Sequence, residues 1–327
     1  MAEKPNAIKD ITIDLIDILD LAGSIKATIL EKFLLLNFYQ GVLLSIIMIA
    51  PQLWVAIPDS LVSDSAHLRE KTSKLGMVGR ACSIFRVSKI YLYKDSSGDY
   101  EEDCEIIKTI LEYMETPQYL RKKIFKQLKA LTYAGLLPPL RTPHHKLEIP
   151  LSDVRVGDLR EGVAIKSGER MLVDVGLSSL IPLEDIAREG ERLAVIFTSP
   201  FPDLRCRVAK KDEIKDYWGY KVKIAPSLGK LVKSINADLI IFTSRKGKLI
   251  TEVWSELIDE VKRARSIILV FGSPKRGIFE ILSDENMNPM QISKFTINTM
   301  PDQKTATVRT EEALLASLAI LNLAIQL

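Results

Sequence analysis

Small and polar residues collect at three places in the last third of this 327-residue chain, each time where an apolar run stops. In SIILVFGSPKRGIFEIL, Ser266–Leu282, the run through Phe271 breaks at Gly272, Ser273 and Pro274 and resumes beyond Gly277. In residues 294–324, KFTINTMPDQKTATVRTEEALLASLAILNLA, it breaks at Asn298, Thr299, Met300, Pro301 and Gln303, and an amphipathic stretch follows Val308 and Thr310. In ADLIIFTSRKG, residues 237–247, it breaks at Thr243 and Ser244. Glycine lets main chain come close to a ligand, and loops of small residues offer backbone amides and carbonyls to a small molecule. The chemistry suggested is ligand holding by backbone. Arg80 and Arg309 add planar guanidinium groups suited to a phosphate or a base. The three histidines and three cysteines lack metal-ligand spacing, so no metal is implied. Neither a Walker loop, a dinucleotide fingerprint nor a nucleophile elbow occurs.

Each of these breaks needs a strand before it and a helix after it. Three such units in succession predict an α/β domain with buried parallel strands, and ligands bind at the carboxyl ends of strands in such sheets. Leu53–Ser60 (LWVAIPDS) and Ser88–Tyr93 (SKIYLY) supply further strands, with a polar helix from Leu61 and an apolar stripe of Leu75, Val78, Cys82, Ile84 and Phe85 between them. Thr310, followed by Glu311 and Glu312, is expected to cap the last helix and complement its positive end. Glu101–Glu115 reads as an acidic amphipathic helix with a solvated charged face. Residues 147–226 differ: short alternating segments, YWGYKVKIA among them, punctuated by glycine and proline predict a small β-barrel of the OB type. The expected organisation is an α/β domain of residues 51–146 and 227–327, with the barrel of residues 147–226 inserted in it.

A net charge of +3 decides no partner, but its distribution is uneven. From Tyr119 to Lys146 there are seven basic residues, Arg121, Lys122, Lys123, Lys126, Lys129, Arg141 and Lys146, and no acidic one. His144 and His145 add donors, and the prolines of LPPLRTPHHK stiffen the segment. Such clustering suits RNA phosphates. Tyr217, Trp218 and Tyr220, interleaved with lysines, are candidates either for stacking on bases or for packing. With 27% charged and 47% hydrophobic residues the chain is globular, and the scattered cysteines suit a reducing, cytoplasmic location. Residues 1–50 stand apart. Phe33 to Ile57 carries no charge, which leaves three readings: helices on or trailing from the domain, translation starting at Met48, or a membrane anchor. Pro51, Asn37, Gln40 and the strand beginning near Leu53 weigh against the anchor.

FGSPKRG, NTMPDQKTATVRTEEALLASLAIL and LRTPHHK together resemble the SPOUT superfamily of RNA methyltransferases, in particular its archaeal and eukaryotic branch with a barrel insertion, from about Gln52 onward. The resemblance implies a trefoil-knotted α/β domain, S-adenosylmethionine as cofactor in the three loops, RNA (ribosomal or transfer) as substrate, and a homodimer. It also implies that Arg80 approaches the acceptor. Where the ribose-methylating branch begins its first motif with asparagine, Lys74 stands here, so a base nitrogen such as uridine N3 and the ribose hydroxyl both remain as acceptors. The other function class is an RNA-binding or assembly protein that keeps the fold without transfer.

Overall fold

The computed structural model describes residues 50–327, and the three readings of the N-terminal stretch lie outside the described residues. The chain enters on strand β1 (Gln52–Pro58), whose last six residues are all buried. Leu53, Val55 and Ile57 pack into one core and Trp54 and Ala56 into another, because successive strand side chains point to opposite faces of the sheet. A strand covered on both sides must be apolar on both, which is why this run does not alternate. A short 3-10 turn at Asp59–Val62 leads to helix α1 (Leu68–Ile84), so the polar helix expected from Leu61 is the first half of one longer helix. Its stripe is inward at Leu75, Val78 and Cys82, whereas Ile84 is exposed.

Strand β2 (Val87–Tyr93), α2 (Glu101–Glu115) and α3 (Gln118–Ile124) follow, and then 3-10 turns and an extended proline-containing segment. Next come five strands: β3 (Leu159–Ser167), β4 (Arg170–Asp174), β5 (Ile181–Pro182), β6 (Arg192–Ser199) and β7 (Arg205–Val208). They form a separate antiparallel sheet in the order β5-β4-β3-β6-β7. Val173, Val195, Phe197 and Cys206 fill its core, and a bridge between Leu183 and Cys206 brings its two edges together.

The chain then returns to the first sheet with β8 (Lys221–Ala225), α4 (Leu228–Ser234), β9 (Leu239–Leu249), α5 (Ile250–Arg263), β10 (Ser266–Val270), α6 (Ile278–Ser283), α7 (Pro289–Ile292), β11 (Phe295–Asn298) and α8 (Thr310–Gln326). That sheet is parallel throughout, in the order β11-β9-β10-β1-β2-β8. The segment Lys221–Ala225, expected among the inserted strands, therefore belongs to this sheet and runs beside β2. Helices α1, α2, α5 and α8 cover the Leu53 face, and α4 and α6 the Trp54 face. No helix among the described residues is long and apolar enough to cross a membrane.

Candidate active site

Central strand β10 and its neighbour β9 end side by side, and their loops meet the loop after β11. Between them is a cleft of about 380 Å3, within the span of roughly 300–1,000 Å3 usual for small-molecule sites. Thr243, Phe271, Gly272, Ser273, Gly277, Asn298, Thr299, Met300, Gln303, Val308 and Thr310 all line it, as the sequence suggested; Pro301 is exposed in the same loop and does not. Sequence reading missed the basic rim of Arg245, Lys246, Lys275 and Arg276. Strand β11 pairs with β9 at Ile241 and Phe242 and again at Lys248 and Leu249. The residues between therefore arch out of the ladder, which carries Thr243 to Lys246 to the cleft.

The cleft is held in shape by hydrogen bonds rather than by apolar packing alone. Tyr93 Oη donates to the Phe271 carbonyl at 2.6 Å, and burial raises the phenol's pKa well above its usual value, so it remains a donor. The Ser273 amide donates to the Arg276 carbonyl at 2.8 Å, closing the Gly272–Gly277 loop. A Cβ on Gly272 would stand 2.9 Å from that same carbonyl, so the loop needs glycine there. Arg276 in turn binds Asp284 at 2.6 Å and reaches Asp95 at 3.4 Å, while Asp95 accepts the Ser60 hydroxyl at 2.7 Å. Burial alone would raise the Asp95 carboxyl's pKa, but hydrogen bonds from Ser60 and Ser97 hold it below the ordinary range. On the opposite wall, Asn298 Oδ1 accepts the Met300 amide at 2.9 Å and Thr299 bonds Ser317 at 2.8 Å.

The expected cap at Thr310 is corrected. Arg309 occupies the N-cap position with extended backbone, and Glu312 accepts the Arg309 amide at 2.9 Å. Thr310 is the first helical residue, and its hydroxyl faces the Gly272 carbonyl at 3.4 Å, joining α8 to the cleft loop. Neither Arg80 nor Arg309 lines the cleft. Arg80 is exposed and donates to the carbonyls of Pro139 and Leu140 at 2.9 and 3.1 Å, clamping the proline segment onto α1. Lys74, six residues earlier on that helix, is buried against Asp64 at 2.8 Å and Glu311 at 3.3 Å. Glu311 is only 4% exposed, so this pair ties α1 to the start of α8.

Comparison with known proteins assigns the chain to a family. The family described as "Putative RNA methyltransferase" matches residues 52–321. The chain belongs to this RNA methyltransferase family. A protein of Haloarcula marismortui is 31% identical over 284 residues, covering 82% of this chain and 98% of that protein. The human 28S rRNA (uridine-N(3))-methyltransferase is 29% identical over 299 residues, 82% of this chain and 77% of that enzyme. The mouse enzyme of the same name is 29% identical over 301 residues, with 82% and 75% covered.

For a methyltransferase acting on RNA, the placement of the basic strip matters. Lys122, Lys126, Arg141 and Lys146 are exposed, and Arg121 is half-buried. Lys123 instead forms an ion pair with Asp174 of β4. His144 and His145, expected to face RNA, turn inward: each Nε2 donates to the Glu115 carbonyl, at 3.0 and 2.7 Å. Burial, with His144 adjacent, pushes the His145 pKa down to about 4. Tyr220 is 3% exposed and donates to the Leu111 carbonyl at 3.0 Å. Trp218 lies 5.7 Å from the His144 ring with its indole N–H on Glu161. Of the two alternatives for these residues, stacking on bases and packing, both pack at the junction of the two sheets. The acidic face of α2 is likewise not all solvated. Glu115 is buried and accepts two hydrogen bonds from Arg192, at 2.7 and 3.1 Å, and Arg192 also binds Glu161 at 2.8 Å. Burial raises the Glu115 carboxyl's pKa, but His144 and the Arg192 guanidinium outweigh it and keep the group below its ordinary value. The sequence carries no signal for this hub, because Arg192 follows Glu191 directly and its partners Glu115 and Glu161 are 77 and 31 residues away.

Proposed function

We propose that this methyltransferase uses S-adenosylmethionine, held in the cleft, to methylate N3 of a uridine in ribosomal RNA. The observation that carries the reading is the convergence of the three loops, far apart in sequence, on one cleft whose walls are mostly main chain and small side chains. That donor set fits a cofactor with an adenine, a ribose and an amino-acid end. Phe271, Met300, Val308 and Ala313 offer apolar contact, and the amides and carbonyls around Gly272, Gly277 and Thr299 offer polar contact. When bound, the cofactor supplies an electrophilic methyl group on a sulfonium, and the nitrogen's electron pair displaces a neutral thioether.

The chain's own contribution is orientation and charge. Methyl transfer gains most from holding the two reactants in line. Uridine N3 gives up its proton to solvent water, and Arg245 and Lys275, the rim cations that no carboxylate engages among the described residues, stabilise the negative charge that develops on the base. Glu280, the carboxylate among the cleft-lining residues, is held by Lys246, which together with backbone amides keeps its pKa below the usual carboxylate range. The uridine-N3 acceptor is supported by the relatives' named activity and by Lys74, which replaces the asparagine of the ribose-methylating motif.

This reading includes a trefoil knot, with the chain end passing through the arch at residues 243–247, and an OB-like barrel, the five-stranded sheet, inserted between the two parts of the α/β domain. A homodimer is supported by the exposed Met77 and Ile84 on α1 and Leu315 and Leu323 on α8, which leave apolar surface on both helices. The buried free cysteines suit a reducing, cytoplasmic setting. The test is to map methylated nucleotides in ribosomal RNA from cells lacking the protein. Loss of one N3-methyluridine, restored by the wild-type chain, is the expected result. Loss of a ribose methyl would move the acceptor, and an unchanged methylation map would refute the proposal.

A further inference from the structure

A second concavity, of about 370 Å3, shares no residue with the cleft. It is built from Tyr113 at the end of α2, Arg121 and Lys122 of α3, and the turns that follow through Ala134. Tyr113 and Phe125 meet edge to face, with ring centres 5.4 Å apart. The Arg121 guanidinium covers the Tyr113 ring at 4.6 Å and is itself fixed by the carbonyls of Thr116 and Met114 at 2.9 and 3.0 Å. This arginine therefore makes the wall rigid. Leu128, Leu131 and Ala134 complete an apolar lining, and Leu128 is 44% exposed. At the rim stand Lys122, Lys126 and Gln127, all exposed. No carboxylate lines this pocket, and no ion pair engages Lys122 or Lys126 among the described residues.

An apolar, aromatic-walled recess of one-nucleotide size with free ammonium groups on its rim has the chemistry of a single-strand RNA subsite. Bases stack on aromatic faces while lysines neutralise the flanking phosphates, and the base edge meets polar side chains such as an amide. A protein partner with acidic and apolar side chains would satisfy the rim less well, since nothing in the pocket specifies peptide backbone. We propose that this pocket receives one unpaired nucleotide of the RNA substrate. The base lies against Phe125 and Leu128, and its phosphates lie against Lys122 and Lys126. This site rests on RNA being the substrate and adds a contact away from the reacting base. It gives part of the one-sided basic strip a defined role.

The test uses the full chain and fluorescence anisotropy with two labelled probes, an oligouridylate and an abasic ribose-phosphate oligomer of equal length. Phe125→Leu keeps apolar bulk and removes the ring. It should weaken the oligouridylate about tenfold, the loss of roughly 1.4 kcal/mol of stacking, and leave the abasic probe unchanged. Lys122→Gln combined with Lys126→Gln should weaken both probes and make log affinity less dependent on log salt by about 1.4, two contacts at roughly 0.7 each. Thermal unfolding of each variant reports whether the fold is intact. Equal wild-type affinity for the two probes would overturn the proposal, as would unchanged affinity in folded variants. A Phe125→Leu variant that shifts the oligomeric state while binding RNA normally would reassign the pocket to a contact between copies. Base-dependent binding by a wild-type chain that takes up no S-adenosylmethionine would leave this proposal standing and defeat only the transferase reading.

Discussion

Two glycines of one loop have different jobs. Gly272 faces its own loop's main chain, so any side chain there strains the closure. Gly277, by contrast, has an ordinary φ of -80°, and a Cβ on it would meet only the movable end of Glu280. Gly277→Trp should therefore fold normally and fill the cleft, abolishing cofactor binding with a melting temperature near wild type. Unchanged cofactor affinity in that variant would remove the cleft from the mechanism. A second residue-level prediction concerns Lys74. Lys74→Met leaves Glu311 buried with its main counter-charge gone, a loss of about 3 kcal/mol by the usual cost of breaking a buried pair. The double variant Lys74→Met with Glu311→Gln should recover most of it, as chemical denaturation of the four proteins would show. No coupling between the two sites would mean that the pair does not tie α1 to α8. At this scale the sequence revealed the cleft residues because small and polar types sit where apolar runs end. Lys74 gave no such signal: nothing in its neighbourhood shows that a partner 237 residues later will bury it.

At the scale of elements, apolar runs and punctuation are enough to place most strands and helices. Residues 101–115 and 266–270 form the elements expected of them. Lys221–Ala225 was harder to read. Its alternating lysines suit an exposed strand in either sheet, and only the parallel pairing with β2 decides the matter. The turn just before it is more constrained than its sequence suggests. Gly219 has φ +79°, and a Cβ would lie 2.2 Å from the Glu115 carboxylate and 2.8 Å from the His144 ring. Gly219→Ala should cost roughly 2–3 kcal/mol, part from the left-handed backbone and part from the displaced carboxylate. Denaturant unfolding measures it, and a change below about 0.5 kcal/mol would show that the hub yields easily. The contact of the Arg276 side chain with Asp95 was equally invisible, because residues 181 apart meet only once the parallel sheet has brought the ends of β2 and β10 near each other.

Across the whole molecule, the two sheets are joined by a polar hub rather than by an apolar seam. Arg192 of β6 reaches Glu115 of α2 and Glu161 of β3, while His144 and His145 approach from the proline segment. Arg192→Ala should cost roughly 2–3 kcal/mol, the cost of an orphaned buried carboxylate discounted for the arginine's partial exposure. The hub also has a pH signature. His145 titrates near 4 in the fold and near 6.5 when unfolded, so the unfolded chain binds the extra proton first as pH drops. Its contribution is present above about 6.5 and is lost as pH falls toward 4, on the order of 1–2 kcal/mol after allowing for solvent screening. Asp59 acts oppositely: burial raises its pKa to about 6, which favours the fold as pH falls from 6 toward 3.8. The histidine term is therefore read as the difference between wild type and His145→Gln across this range. Parallel stability curves for the two proteins would mean that His145 takes up its proton at the same pH folded and unfolded, so that burial does not perturb it.

The central claim is that the three-loop cleft holds S-adenosylmethionine for transfer to RNA. Calorimetric titration of the purified protein with S-adenosylmethionine, beside the Gly277→Trp variant, tests it most directly. The account predicts saturable binding at one molecule per subunit in the wild type and none in the variant. Absence of binding to the wild type, with and without ribosomal RNA present, would contradict it.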